Sequence, residues 1–458
     1  MDYKISDIQV AGAGAGKTYS MAEKIIEYRK NNITEDKDII VITYTNFAKN
    51  NIEKKFRDEF NGIPEDVKIL TIHKFLLDYI IYPYSNLVFN LVINDACSIP
   101  LPDNISFKNK RISELLEKGI IHNEKVFKQA KRTLCIGNSD NKELKKNKKM
   151  VLDLFKASVC AIFIDEAQDA DEDVIEIIKY LNNNGIYFYI VGDPKQAIKY
   201  PSVFANFINE IKAKEVRSFN LQPFNNITRR MPKIHVNISN IICNDYQKQS
   251  TISKVEGTIY YMYSDDDNFK EVFDKFQNPE SLCYIKKKTD YFLTGKSYKL
   301  DDVLLKEILV TKNISDDTDA FMYEKTQELF KYIETFQNEQ KGLNNFLKKY
   351  DIILSKNDYA KIISSLSFMK EDKYIVNTID KIKGLEKENC LFIIDNSLLD
   401  YLFRNKIEEN KERNYLYVGL TRSLNNMILV IDISTLKDKT RDYIDNEMKK
   451  ISIPYYAK

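Results

Sequence analysis

The sequence predicts an α/β protein: two parallel sheets flanked by helices, with small helical insertions. Three observations lead there. Short apolar runs recur, each ending in a turn and followed by a helical pattern, and repeated strand–loop–helix units build parallel sheets. The first of these turns is the glycine-rich stretch AGAGAGKT at residues 11–18. The alternation then lapses and returns near Leu282, which separates a second sheet from the first.

Asp7 to Val10 reads as a strand feeding the glycine-rich turn, and Met21, Ile25, Ile26 and Tyr28 mark one side of the helix after it. Ile39 to Thr43 (IIVIT) is an uninterrupted apolar run, as a strand buried on both faces requires, and a polar helix follows from about Phe47. Lys68 to Thr71 is a further short strand, and AIFI at 161–164 and IYFYIV at 186–191 end in acidic turns. Ligands of such sheets bind beyond the carboxyl ends of the strands, where the glycine turn and both acidic turns fall. Residues 85–155 break the rhythm with a mostly helical pattern, and KELKKNKKM at 142–150 reads as a solvated linker. The second alternation runs from Leu282 through YIVN at 374–377, LFIID at 391–395 and MILVIDI at 427–433, and residues 296–373 read as helical with no chemical motif.

Composition narrows the function classes. The chain's 458 residues suffice for two or three domains. Sixty-nine basic residues against 67 acidic ones give a net charge of +2, which excludes a uniformly basic coat but leaves room for a basic groove. The six cysteines and three histidines are scattered without a CxxC pair, so no zinc or iron–sulfur pattern is present. The first residues, MDYKISDIQV, do not form a signal peptide, and no apolar run approaches the ~20 residues that span a bilayer. The expected location is the cytoplasm, with no membrane partner.

Three stretches carry chemistry. In the loop Ala11, Gly12, Ala13, Gly14, Ala15, Gly16, Lys17, Thr18, the glycines let backbone N–H groups curl around phosphate oxygens, and the positive end of the next helix adds to the field. Lys17 would neutralise the β- and γ-phosphates and Thr18 would ligate Mg²⁺. The strict pattern starts with glycine, where this chain has Ala11. In IFIDEAQD at 162–169, Asp165 at a strand end can hold Mg²⁺, and Glu166 can orient and deprotonate the attacking water. In VGDPKQ at 191–196, Gln196 is a neutral group able to touch the γ-phosphate.

The order and combination of these pieces resemble the UvrD/Rep-like helicases of superfamily 1. Five further stretches extend the likeness: YTNFA at 44–48, TIHKF at 71–75, ITRRMPKIHVNISN at 227–240, NTIDKIKGLE at 377–386 and ERNYLYVGLTRS at 412–423. The resemblance implies two RecA-like motor domains: 1–84 with 156–220, and 221–295 with 374–458. It makes 85–155 and 296–373 the accessory insertions. It also implies ATP and Mg²⁺ as cofactors and single-stranded or tailed DNA as partner. Lys17, Thr18, Asp165, Glu166 and Gln196 then form one wall of the ATP site. Arg422, with Arg229 or Arg230, completes it against the γ-phosphate, where an arginine stabilises developing charge. Counting to Ile234 favours Arg229. Glu386 contacts the nucleotide from the same side. Tyr44, Thr45, Asn46, His73 and Phe75 match positions that touch a single strand, although Tyr44 and Phe75 also suit a hydrophobic core.

The chain departs from the family at several places. The glutamine segment that reads adenine is expected well ahead of the loop, whereas Gln9 lies close to it, so weak base selectivity is expected. AIKYP at 197–201 replaces the family's Tyr-x-Trp-Arg-Gly, leaving Tyr200 as the stand-in for the stacking tryptophan. Asp380 takes the place of the fifth motif's histidine. Overall size, GDPKQ and the compact second half resemble the helicase-like subunit of the Gabija anti-phage systems, which implies a nuclease partner of the OLD family. Three functions follow as expectations: a DNA-dependent ATPase and 3′→5′ translocase in defence or repair, a DNA-sensing subunit that licenses a nuclease with little unwinding, and a decayed scaffold. Intact Lys17, Asp165, Glu166, Gln196 and Arg422 speak against the last. If the roles are as read, Lys17→Ala abolishes hydrolysis, and Glu166→Gln binds nucleotide normally while turnover stops. An ATPase assay beside a nucleotide-binding titration checks both, and normal turnover in Glu166→Gln overturns that residue's role.

Overall fold

In the computed structural model, the described residues are 5–32, 37–43, 46–99, 101–102, 104–278, 280–289, 291–294, 338–367 and 374–457, with 304, 325, 328, 329, 331–333, 335 and 336; at 46–48, 51, 361 and 364–367 this covers the backbone alone. Contacts divide the chain into two compact units, one of Met1–Gly257 with Tyr401–Asn425, the other of Thr258–Asp400 with Asn426–Lys458. Each is built on a six-stranded parallel sheet, as the alternating pattern predicts.

The first sheet contains β1 (Ser6–Val10), β2 (Asp38–Thr43), β3 (Val67–Thr71), β4 (Val159–Ile164), β5 (Tyr187–Gly192) and β6 (Phe219–Leu221), in the order β3-β2-β4-β5-β1-β6. The order places β1 between β5 and β6 and puts β4 beside β5, so the glycine loop and both acidic turns leave the sheet at one edge. The apolar runs are buried on both faces. Ile40, Ile42, Ile162 and Ile164 join one core with Phe75, Phe155, Phe188 and Phe204; Ile39, Val41, Ala161 and Phe163 join the other with Met21, Ile25 and Phe56. Helix α1 (Lys17–Asn31) follows the loop and buries Met21, Ala22, Ile25 and Ile26, while Tyr28 stacks on Tyr187 at 5.1 Å between ring centroids. Helix α2 (Asn46–Phe60) packs beside it.

Between β3 and β4 lie helices at Tyr82–Phe89, Ile105–Glu117, Val126–Leu134 and Lys142–Ser158, with two short paired strands, Asp95–Cys97 and Ile120–His122. The lysine-rich stretch KELKKNKKM is not a linker. It opens the helix Lys142–Ser158, whose N-terminus Asn141 caps by accepting the Leu144 N–H at 2.8 Å. Leu144, Val151, Leu152 and Phe155 recur at helical spacing and supply the apolar face that a reading of charge alone hides. Lys148 lies on the inner side. It is buried, donating to Asp140 Oδ2 at 2.8 Å and to the Cys135 carbonyl at 2.9 Å.

The second sheet contains β7 (Thr258–Tyr263), β8 (Ser281–Ile285), β9 (Phe292–Thr294), β10 (Tyr374–Thr378), β11 (Lys387–Ile394) and β12 (Ser423–Ile431), in the order β7-β12-β11-β8-β10-β9. Within 296–373, the described helices Glu339–Lys349 and Lys356–Ser367 share a small core of Leu343, Phe346, Leu347, Tyr350, Ile352 and Ile362. Among the described residues, no helix is long and apolar enough to cross a membrane.

Removing one partner of a buried ion pair strands the other charge, whereas replacing both removes the desolvation penalty. Asp140→Ala is therefore expected to lower stability by about 3 kcal/mol, and adding Lys148→Met to restore most of it. Thermal unfolding of the two variants measures this, and equal losses in both contradict the assignment.

Candidate active site

The loop between β1 and α1 is shaped by its backbone. Gly14 has φ of 69°, a left-handed conformation that costs a side-chain-bearing residue energy, and a Cβ there would collide with the Thr228 hydroxyl. Ala11 continues the sheet, its N–H donating to the Gly192 carbonyl at 3.1 Å, and the Ala15 carbonyl accepts the Asn225 side-chain amide at 3.2 Å. Gly16 immediately precedes α1, so the first-turn N–H groups and the helix dipole face the loop. Lys17, only 8% exposed, lies at the start of that helix.

The two expected Mg²⁺ ligands are brought together. Thr18 Oγ1 donates to Asp165 Oδ2 at 2.8 Å. Asp165 is fully buried at the end of β4; burial, and then the adjacent Glu166 charge, push its carboxyl up to about 6, against the pull of Thr18 and Lys17. No group of three or more His, Cys, Asp or Glu side chains able to hold a metal occurs among the described residues. A hydroxyl and one carboxylate nevertheless fit Mg²⁺, which takes few protein oxygens and completes its octahedron with water and phosphate.

Glu166 has a positive φ of 56°, a conformation rare outside glycine that commonly marks functional sites. Its N–H donates to Asp165 Oδ1 at 2.9 Å, and its carboxylate accepts from the Gln168 amide. Gln168 is fully buried, and its carbonyl accepts the Asp193 N–H at 3.0 Å, tying the turn after β4 to the turn after β5. Asp193, also fully buried, accepts the Gln196 amide at 2.9 Å and the Lys195 N–H at 3.1 Å. Sequence reasoning passed over Gln168 and Asp193. The available signal was their position, as polar residues in IFIDEAQD and VGDPKQ immediately after apolar strands.

Arg422 reaches this network. It follows helix α3 (Lys411–Leu420) and is 2% exposed. Its Nη2 lies 3.4 Å from Gln196 Oε1 and 3.0 Å from Thr421 Oγ1, and its Nε donates to the Val418 carbonyl at 3.0 Å. Asn414 on α3 donates to the carbonyls of Ala197 at 2.8 Å and Pro194 at 3.3 Å, fastening the helix on both sides of Gln196. This residue too was missed. Both arginines of ITRRM adjoin the loop differently. The Arg229 N–H donates to the Gly14 carbonyl at 3.1 Å, whereas the side chain lying against Gly14 is that of Arg230. Glu386 is half-buried just ahead of β11 in the other compact unit.

The expected strand contacts divide. Tyr44 and Thr45 lie outside the described residues, and Asn46 is the first residue of α2. His73 packs on Phe127 at 4.8 Å, and the Lys199 ammonium lies 6.0 Å from the Phe127 centroid and 5.2 Å from that of Tyr200. His73 and Tyr200 therefore border one aromatic patch with a cation on it. Burial, and then the Lys199 charge, hold the His73 imidazole below its usual range. Phe75 belongs to the core, against Tyr79 and Phe155, with no face open for a base.

The AAA domain family matches residues 6–204, which hold the loop, Asp165, Glu166 and Gln196. An ATP-dependent DNA helicase Rep of Buchnera aphidicola is 27% identical over 231 residues, 41% of this chain and 34% of that one. These matches support a helicase of the UvrD/Rep-like superfamily 1 type. The Gabija protein GajB of Bacillus cereus is 24% identical, over 97% of this chain and 95% of that protein. Among solved structures, an arterivirus nonstructural protein 10 (helicase) covers 93% of the chain and 60% of its own at 8% identity, with a TM-score of 0.37.

Since the Arg230 side chain is the one against the loop, Arg230→Ala is expected to cut turnover on the order of 10²-fold, with a smaller loss in Arg229→Ala. Steady-state hydrolysis of the two variants decides, and the reverse ranking restores Arg229.

Proposed function

We propose that the chain is an ATP-dependent DNA helicase and translocase that binds single-stranded or tailed DNA and hydrolyses ATP with Mg²⁺. The observation that carries this reading is the buried path from the loop to the arginine helix: Thr18 on Asp165, Glu166 and Asp193 joined by Gln168, Gln196 on Asp193, and Arg422 on Gln196. In this reading Lys17 and the loop N–H groups hold the β- and γ-phosphates. Thr18 and Asp165 hold Mg²⁺, which supplies charge neutralisation on the phosphates. Glu166 accepts the proton of the attacking water, Gln196 steadies the transferring group, and Arg422 with Arg230 offsets the charge that develops on it.

The DNA reading rests on the half-buried rings of His73 and Tyr200, which both lie near Lys199, because aromatic rings beside a cation suit stacking of bases without reading sequence, at roughly 1–3 kcal/mol per base. Residues 1–84 with 156–220 and 221–295 with 374–458 are read as the two motor domains, with 85–155 and 296–373 as insertions. Movement 3′→5′ and a role in anti-phage defence in the cytoplasm follow by analogy with the family and with the Gabija protein matched along nearly its full length.

The same end-to-end likeness favours a second reading, a DNA-sensing NTPase that regulates a partner nuclease with little strand separation. Asp380, an acid where the family has a DNA-facing histidine, supports it. Hydrolysis measured with no DNA, with single-stranded DNA and with tailed duplex tests the shared claim: stimulation by single strands is expected, and its absence removes the DNA reading. A strand-displacement assay on the tailed duplex, with and without an OLD-family nuclease, separates helicase from sensor.

A further inference from the structure

The backbone N–H and the backbone carbonyl of Ala13 are both held by buried side chains. Its N–H donates to the Tyr417 hydroxyl at 3.3 Å, and its carbonyl accepts the Gln249 side-chain amide at 3.0 Å. The two side chains also bind each other, the Tyr417 hydroxyl donating to Gln249 Oε1 at 2.6 Å. The result is a closed ring of three hydrogen bonds, out of contact with water, since both side chains are buried. In such surroundings each bond is strong and each broken one leaves an unsatisfied group.

The ring is anchored on every side. Gln249 is fixed through its backbone by Asn240, which accepts the Gln249 N–H at 2.9 Å and donates to its carbonyl at 2.8 Å. Its side-chain amide lies so close over the loop that a Cβ on Gly12 would collide with it, which accounts for a glycine at that position. The Tyr417 ring carries the Lys195 ammonium 4.9 Å from its centroid, within the turn that bears Gln196. Burial holds the phenol well above its ordinary range, so its proton stays on and is committed to Gln249.

Tyr417 sits on α3, and the residue after it, Val418, provides the carbonyl on which Arg422 Nε is pinned. The loop peptide and the guanidinium are thus joined through a single turn of helix. We propose that Tyr417 and Gln249 are positioning residues that lock the phosphate loop to the arginine helix, so that the placement of Arg422 depends on the loop's conformation at Ala13. The proposal rests on the reading of Arg422 as the γ-phosphate arginine. It assigns the lock an effect on turnover rather than on nucleotide affinity, because Lys17 and the α1 N-terminus bind phosphate without it.

Tyr417→Phe removes the hydroxyl and keeps the ring and its contact with Lys195. The expected result is a roughly 10- to 100-fold fall in kcat for ATP with KM little changed, as for a catalytic group set slightly out of place. Gln249→Leu is expected to do the same, and carries the test if Tyr417→Phe does not fold. In an Arg422→Lys background either change is expected to add almost nothing to the loss, because it acts through the same group. A merely structural role would weaken ATP and ADP binding alike, lower the unfolding temperature and combine additively with Arg422→Lys. Additive losses, or a normal kcat in both variants, overturn the lock. A normal kcat in Arg422→Lys and Arg422→Ala overturns instead the reading of Arg422 itself.

Discussion

Seven charged or amide side chains, Lys17, Asp165, Gln168, Asp193, Lys195, Gln196 and Arg422, are buried at the carboxyl edge of the first sheet, and the rest of the site depends on the network that joins five of them, Gln168, Asp193, Lys195, Gln196 and Arg422. Burying such groups unpaired costs several kcal/mol each, so a stable arrangement is one in which nearly every donor has found an acceptor. The structure meets that demand by linking turns from different strands: Gln168 spans from Glu166 to Asp193, Gln196 spans from Asp193 to Arg422. The same bonds fix the positions of the groups to which the proposed function assigns phosphoryl transfer, a chemistry dominated by placement and charge.

The parallel sheet makes this possible. With β1 inserted between β5 and β6 and β4 next to β5, the glycine loop and the two acidic turns emerge side by side although they are far apart in sequence. The segments around Thr228, Gln249 and Arg422 group with this sheet rather than with the second one. The site is therefore described within one compact unit, including its arginines at 230 and 422. Asp165 shows the cost of the arrangement: without compensation, its burial beside Glu166 disfavours the charged carboxylate, and a divalent cation is the natural counter-charge.

Much of this was legible in the sequence, for physical reasons. Strands buried on both faces leave uninterrupted apolar runs, so IIVIT, AIFI and IYFYIV located β2, β4 and β5 to within a residue or two. The loop, Asp165 and Glu166 were legible because their chemistry needs particular residue types at strand ends. The lysine-rich helix misled because charge masked its apolar spacing and because the buried Lys148 looks like its solvated neighbours until Asp140 is placed beside it. Phe75 reads as a strand contact because its place in TIHKF matches one, but an aromatic there serves a core equally well, and it is buried against Phe155. Gln168, Gln249, Asn414 and Tyr417 were invisible as functional residues because their partners are remote in the chain, and only the fold shows what they hold.

In the proposed function Arg422, carried into a buried network by α3, recognises the γ-phosphate. The most direct measurement is calorimetric binding of a non-hydrolysable ATP analogue and of ADP, each with Mg²⁺, to the native chain and to Arg422→Ala. The account predicts that the native chain prefers the triphosphate and that Arg422→Ala loses this preference while still binding ADP as before. A preference for the triphosphate undiminished in Arg422→Ala would contradict it.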